Sequence, residues 1–172
     1  MKRFICILIC AFALMGSLIG TGCSKKPEDG AAKPAGAKLA FTAKDIEGNE
    51  ITFDSVKGSK LTMINFWEEW CGPCMTELRA LEQLYEKYRD KGFVILGVFS
   101  DSDEQKVKDV AAQRGLTYPV FEIVPELKQF QTQYVPTTVF FDAEGREIPS
   151  AKKVGAMNYH DWELLIDSLI GE

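Results

Sequence analysis

Residues 65–74 read "NFWEEWCGPC": two cysteines three positions apart, with Gly72 and Pro73 between them and a tryptophan on each side of a glutamate pair. Such a pair suits a metal clip, a structural staple or a reacting dithiol. The cysteine count narrows this choice. Cys6 and Cys10 lie in an N-terminal apolar run, and Cys23 closes it, so Cys71 and Cys74 are the pair left for the rest of the chain. A structural zinc site wants four Cys or His ligands, and the single histidine, His160, lies far off in sequence. No metal is expected, and His160 reads as a surface residue of the last helix. A staple between such near neighbours closes a tiny loop and removes little unfolded-state entropy.

The dithiol reading has a physical basis. The run "KLTMINFW", 60–67, is predominantly apolar, as in a buried central strand. Residues 73 to about 90 carry Met75, Leu78, Leu81, Leu84, Tyr85 and Tyr88 at helical spacing, with charges on the other face. Pro73 suits the first turn and Gly92 follows the end. Cys71 therefore ends a strand-to-helix turn and Cys74 falls in the first turn, bringing their Cα atoms to about 5 Å, a disulfide distance. The helix N-terminus favours a thiolate at Cys71. That thiolate attacks a disulfide, and Cys74 resolves the mixed disulfide. No organic cofactor is called for.

Outward from the motif, "AFTAKDIEGNEITF" predicts short strands about a turn at residues 47–49. A second buried strand is expected at 93–99 and a helix at 103–114 ended by Gly115. A short strand follows at 118–123 and a short helix at 125–134. Then come a strand in "VPTTVFFD", a turn at "AEG", a last strand within 146–154 and a helix over 158–170. This order predicts an α/β fold with a mixed central sheet. The chain is 46% hydrophobic and 26% charged with a net charge of −5, which gives no footprint for nucleic acid.

The N-terminus reads differently. Lys2 and Arg3 precede the apolar run of residues 4–20, a secretory signal pattern, and residues 1–22 are expected to be removed. Removal leaves 18 basic against 25 acidic side chains, a net −7. Cys23 stands where small residues give way to a polar stretch and resembles the lipidated cysteine of a bacterial lipobox, although Gly20 occupies the position usually held by Leu. Residues 23–38, including "SKKPEDGAAKPAGAK", read as a flexible tether of at most ~50 Å, and 39–172 as the folded domain.

With these residues in view, the chain resembles thioredoxin-fold proteins, on "NFWEEWCGPC" and on "VPTTVFF" at 135–141, where Pro136 would be the family's cis-proline beside the CxxC. The N-terminal hairpin, the lipobox and the ~60 residues between CGPC and Pro136 are similar to the TlpA/ResA-like extracytoplasmic branch. The extra length leaves room for an inserted element around 115–134. The resemblance implies a membrane-tethered thiol-disulfide oxidoreductase, monomeric, reducing rather than oxidising in direction, taking electrons from a membrane thiol donor and acting on disulfide-bearing client proteins such as apocytochromes c. It implies Cys71 and Cys74 as catalytic, and Trp70, Gly72, Pro73, Val135 and Pro136 as substrate contacts. Asn65 stands where thioredoxins carry a buried Asp. Asn cannot take a proton, so Glu77, one turn beyond Cys74, is expected to assume the acid–base task. Glu68 and Glu69 are expected as rim charges. A peroxiredoxin-like peroxidase would need Thr-x-x-Cys, where this chain has Glu68. A non-catalytic lipoprotein binding module or holdase is the remaining alternative.

Overall fold

A computed structural model describes residues 38–171. The signal segment, Cys23 and the tether as far as residue 37 lie outside the described residues. The described chain starts with an isolated bridge from Lys38 to Arg146 and then forms the expected hairpin. Its strands β1 (Thr42–Lys44) and β2 (Glu50–Thr52) pair antiparallel. Asp45 makes the turn by accepting from the backbone N–H of Glu47 and Asn49, the habit that places Asp in turns. A single helical turn, α1 (Phe53–Val56), follows, capped reciprocally by Thr52 and Ser55.

The main sheet runs in the order β5-β4-β3-β6-β7. At its centre lies β3 (Leu61–Phe66), which is buried along its whole length. It pairs in parallel with β4 (Phe93–Phe99) and antiparallel with β6 (Thr137–Asp142). The edges are β5 (Val120–Glu122) and a two-residue β7 (Lys153–Val154). This is the mixed sheet expected from the order of elements.

Strand alternation divides the core in two. One face presents Leu61, Met63, Trp67, Phe93, Ile95 and Phe140 to α2 (Gly72–Tyr88), α3 (Glu104–Arg114) and α4 (Tyr159–Ile170). The other presents Ile64, Phe66, Leu96, Val98, Val139 and Phe141 to the hairpin, α1 and the segment bearing Leu127 and Phe130. Helix α2 is anchored by Leu78, Leu81, Leu84 and Tyr88, all essentially inaccessible. Each such apolar side chain contributes about 1.5–3 kcal/mol of transfer free energy. Helix α3 starts at the Asp103 cap and ends at Gly115 in the left-handed region, as its sequence signals require.

Two elements are shorter than expected. The helix predicted over 125–134 is only a 3-10 turn at Pro125–Leu127. Beyond it the backbone is claimed by side chains: Thr132 Oγ1 bonds to both the N–H and the carbonyl of Tyr134, and Thr137 Oγ1 donates to the same carbonyl. Pro136 in turn biases Val135 away from helical geometry. The last strand is confined to two residues because Pro149 starts a 3-10 turn, Pro149–Ala151, inside the expected range.

Gly97 explains how the sheet brings the aromatic residues near the motif together. It lies opposite Asn65 on β3 and Val120 on β5. A Cβ there would come within 3.0 Å of Trp67 Nε1 and 3.2 Å of a Tyr118 ring carbon, so only glycine lets both rings close over the strand. Among the described residues no helix is long and apolar enough to cross a membrane.

Candidate active site

Cys71 is the N-cap of α2. Its Sγ accepts from the N–H of Cys74 at 3.2 Å, and its carbonyl accepts from Met75. The two cysteines are joined as a disulfide with Cα atoms 5.2 Å apart, the separation the spacing implies. Cys71 is 5% exposed and Cys74 is fully buried, so an incoming group meets the first sulfur and not the second. Gly72 and Pro73 are exposed beside it. The helix N-terminus thus holds a sulfur where a negative charge is favoured by unpaired N–H groups and the helix dipole.

The segment before β6 closes over this end of the helix. The Val135–Pro136 bond is cis, and the Val135 carbonyl oxygen lies 3.6 Å from Cys71 Sγ. In the disulfide the sulfur has no proton to donate, so this is a contact; a thiol at the same place would have an acceptor in front of it. Pro136 is buried, and its carbonyl accepts from Gly155 N–H at 2.8 Å, which brings the loop after β7 to the same corner. Trp67 is fully buried, whereas Trp70 is 60% exposed next to Cys71.

Beneath the disulfide sits a polar group inside the apolar layer. Asn65 is buried on β3 and donates from Nδ2 to Glu77 Oε1 at 3.0 Å and to Thr138 Oγ1 at 3.0 Å. Glu77 is 1% exposed. Its Oε2 accepts from the Met157 N–H at 3.2 Å and from Trp162 Nε1 at 3.4 Å. Burial pushes the carboxyl from 4.5 to about 6, against the lowering effect of these three hydrogen bonds, of which the one from Asn65 is largest. The residue replacing the expected carboxylic acid on the strand is therefore the one that holds Glu77. Glu77 itself ties β3, α2, the β7–α4 loop and α4 together.

Two expectations about this region fail or shift. Glu68 is not a rim charge: it is 2% exposed, and its carboxylate is enclosed by the β4–α3 loop, accepting from Ser100, Asp101 and Ser102. The sequence offered one signal, the hydroxyl-rich "SDSD" after β4, but nothing to say that this loop folds back on Glu68. Glu69 is partly buried and pairs with Lys106 at 3.4 Å. His160 is on the exposed face of α4, as expected of a surface residue of the last helix. Among the described residues, no group of three or more His, Cys, Asp or Glu side chains is arranged to hold a metal ion. A third buried carboxylate, Glu82 on α2, was not anticipated. It accepts from the N–H and hydroxyl of Thr117 and fastens the α3–β5 loop.

The arrangement can interconvert a dithiol and a disulfide, with one sulfur slightly exposed, one buried and the buried Glu77 carboxyl one helical turn beyond Cys74. Known proteins agree with that chemistry. A family model described as AhpC/TSA matches residues 35–148. The thiol-disulfide oxidoreductase ResA of Bacillus thuringiensis subsp. konkukian is 33% identical over 117 residues, covering 65% of this chain and 65% of that protein. The thioredoxin-like protein YneN of Bacillus subtilis is 31% identical over 133 residues, covering 74% and 75%. The chain thus spans just under two thirds of the length of that ResA protein. Among solved structures, a thioredoxin-family thiol:disulfide interchange protein from Chlorobium tepidum superposes with a TM-score of 0.73 at 26% identity, covering 80% of this chain and 97% of that one.

Proposed function

The chain belongs to the AhpC/TSA family, and from that premise we propose that it is a thiol-disulfide oxidoreductase that reduces disulfides in client proteins outside the cytoplasm. The observation that carries this reading is the Cys71–Cys74 disulfide seated at the N-terminus of α2, its outer sulfur 3.6 Å from the Val135 carbonyl. In the reduced protein the Cys71 thiolate attacks a client disulfide and displaces one client thiolate, giving a mixed disulfide. Cys74, deprotonated, then attacks Cys71 Sγ and releases the second client thiol. Two electrons pass to the client, and the protein is left in the oxidised form of this structure. A membrane dithiol donor then reduces the Cys71–Cys74 disulfide back to the dithiol and is itself left as a disulfide.

Glu77 receives the Cys74 proton in this scheme. A carboxyl held at about 6 is ionised at neutral pH yet close enough in proton affinity to exchange readily with a thiol. Trp70, Gly72, Pro73, Val135 and Pro136 form the surface on which the client lies, its extended backbone running along the Val135 edge. Cys23 carries the lipid, residues 23–38 span the gap to the domain, and the protein acts as a monomer. Apocytochromes c are clients that fit, since their cysteines must be reduced before haem attaches.

The family description also raises a thiol peroxidase. The Thr of Thr-x-x-Cys is absent, with Glu68 in its place before Cys71, which favours disulfide exchange. Insulin reduction separates this reading from a non-catalytic binding module: Cys71→Ser and Cys74→Ser must lose the activity. In cells, Cys74→Ser should accumulate mixed disulfides on Cys71 that mass spectrometry identifies. If none accumulates, the oxidoreductase reading is wrong. A Glu77→Gln protein with unaltered thiol pKa values and exchange rate would remove Glu77 from the scheme.

A further inference from the structure

Glu68 lies three residues before Cys71, and its backbone carbonyl accepts from the Cys71 N–H at 3.1 Å. Its carboxylate is surrounded by donors from one loop. Oε1 accepts from Ser100 N–H at 2.9 Å and Ser100 Oγ at 2.7 Å; Oε2 accepts from Ser102 Oγ at 2.6 Å; and the Asp101 N–H is shared between them at 3.2 and 3.1 Å. Burying a carboxylate is costly unless its lone pairs are met, and bonds to a charged acceptor are stronger than neutral ones. A carboxylate so enclosed fixes the loop firmly.

The same three loop residues reach outward in two directions. The Asp101 carbonyl accepts from the Trp70 indole N–H at 3.3 Å, and Ser102 Oγ accepts from the Glu69 N–H at 3.0 Å. On the other side, Ser100 Oγ accepts from Gln131 Nε2 at 2.8 Å. Gln131 belongs to the segment that leads into Tyr134 and Val135, whose carbonyl faces Cys71 Sγ. The two large exposed rings bordering Cys71 are Trp70 at 60% and Tyr134 at 59%. One buried carboxylate is therefore connected to Trp70 through Asp101, and through Ser100 and Gln131 to the segment that leads into Tyr134.

We infer that Glu68 is a positioning residue for polypeptide clients: by holding the 100–102 loop it sets the gap between the Trp70 ring and the Tyr134–Val135 edge on either side of Cys71. A polypeptide carrying apolar residues next to its cystine needs both walls at once. A small disulfide needs only the sulfur. Glu68 thus acts on client affinity and leaves the thiol chemistry to Cys71, Cys74 and Glu77. The inference rests on the oxidoreductase reading.

The test is single-turnover oxidation of the pre-reduced protein by insulin and, separately, by bis(2-hydroxyethyl) disulfide. For Glu68→Ala we expect the half-saturating insulin concentration to rise about ten-fold with the maximal rate within about two-fold, and the small-disulfide rate to change less than about two-fold. Acrylamide should quench Trp70 fluorescence more efficiently, read in a Trp70→Phe-subtracted difference. Glu68→Gln, which keeps an acceptor for the loop N–H groups, should recover most of the insulin affinity. Ser102→Ala combined with Gln131→Ala removes the bridges to Glu69 and Gln131, keeps the Glu68 side chain with its Ser100 and Asp101 donors and the Asp101–Trp70 bond, and should weaken insulin binding about three-fold. If Glu68→Ala does not fold, this pair decides. Equal losses on both substrates, or unaltered insulin saturation in a folded variant, overturn the inference alone. If the unaltered protein reduces neither substrate, the proposed function falls and the inference with it.

Discussion

Two glutamates flank the cysteine pair, both almost inaccessible, and they are held in opposite ways. Glu68 sits before Cys71 and is met by backbone and hydroxyl donors from one loop, with four of its five contacts at 3.1 Å or shorter. Glu77 sits after Cys74 and is met by single donors from three elements, the longest at 3.4 Å. Desolvation outweighs those three bonds and raises the Glu77 carboxyl to about 6. The contrast shows that depth alone does not decide what a buried carboxylate does. The donors supplied decide its structural part: five contacts from one loop make Glu68 a clamp on that loop, whereas single donors from three elements place Glu77 where those elements meet.

The comparison presumes that both glutamates serve a reacting dithiol, so the largest effect belongs to the sulfurs. Cys71→Ser and Cys74→Ser should each abolish turnover of protein disulfides in an insulin-turbidity assay; residual turnover in either would break the comparison at its base. Next comes the proton-carrying role. In the oxidised protein, stability contributed at Glu77 is fully present below pH 4.5 and is lost as pH rises through about 6, because the folded-state affinity for the proton is the higher one. The full difference is about 2 kcal/mol. Urea unfolding at pH 4 and pH 7.5 should show that loss in the unaltered protein and not in Glu77→Gln. An identical pH dependence in the two would place the titration elsewhere.

A smaller effect tests which donor matters. Asn65→Ala removes the strongest hydrogen bond to Glu77, so the inflection near pH 6 should move up by about half a pH unit or more. Trp162→Phe removes the longest bond, 3.4 Å, and the inflection should move up by only about a tenth or two. Titration followed by infrared carboxyl absorption reads both. The reverse order of effects would mean that Trp162, not Asn65, holds the carboxylate.

Much of the fold was legible in the sequence, for identifiable reasons. The apolar runs at 60–67 and 93–99 could be little else than buried strands. Helices α3 and α4 begin at Asp103 and Asn158 and end at Gly115 and Gly171, where capping chemistry is local. The failures lie where long-range contacts compete with local propensity. The segment after Pro125 carries helix-compatible residues, yet the Thr132 and Thr137 hydroxyls and Pro136 claim its backbone. Glu68 looked like half of an exposed acidic pair, and only the return of the β4–α3 loop removes it from water.

The sequence by itself determined the chemistry: a lone CxxC in the folded region, Gly and Pro between the cysteines, a strand before and a helix after, all within a dozen residues and governed by local geometry. Tertiary structure alone decided the environment of that chemistry. Met157 and Trp162 are about eighty residues from the Glu77 they bond, Ser100 and Ser102 more than thirty from Glu68, and Val135 sixty-four from Cys71. Solvation and hydrogen-bond donors come from whatever the fold brings near. They set the proton affinity of one glutamate and the rigidity of the other, and neither is written in the residues adjacent to them.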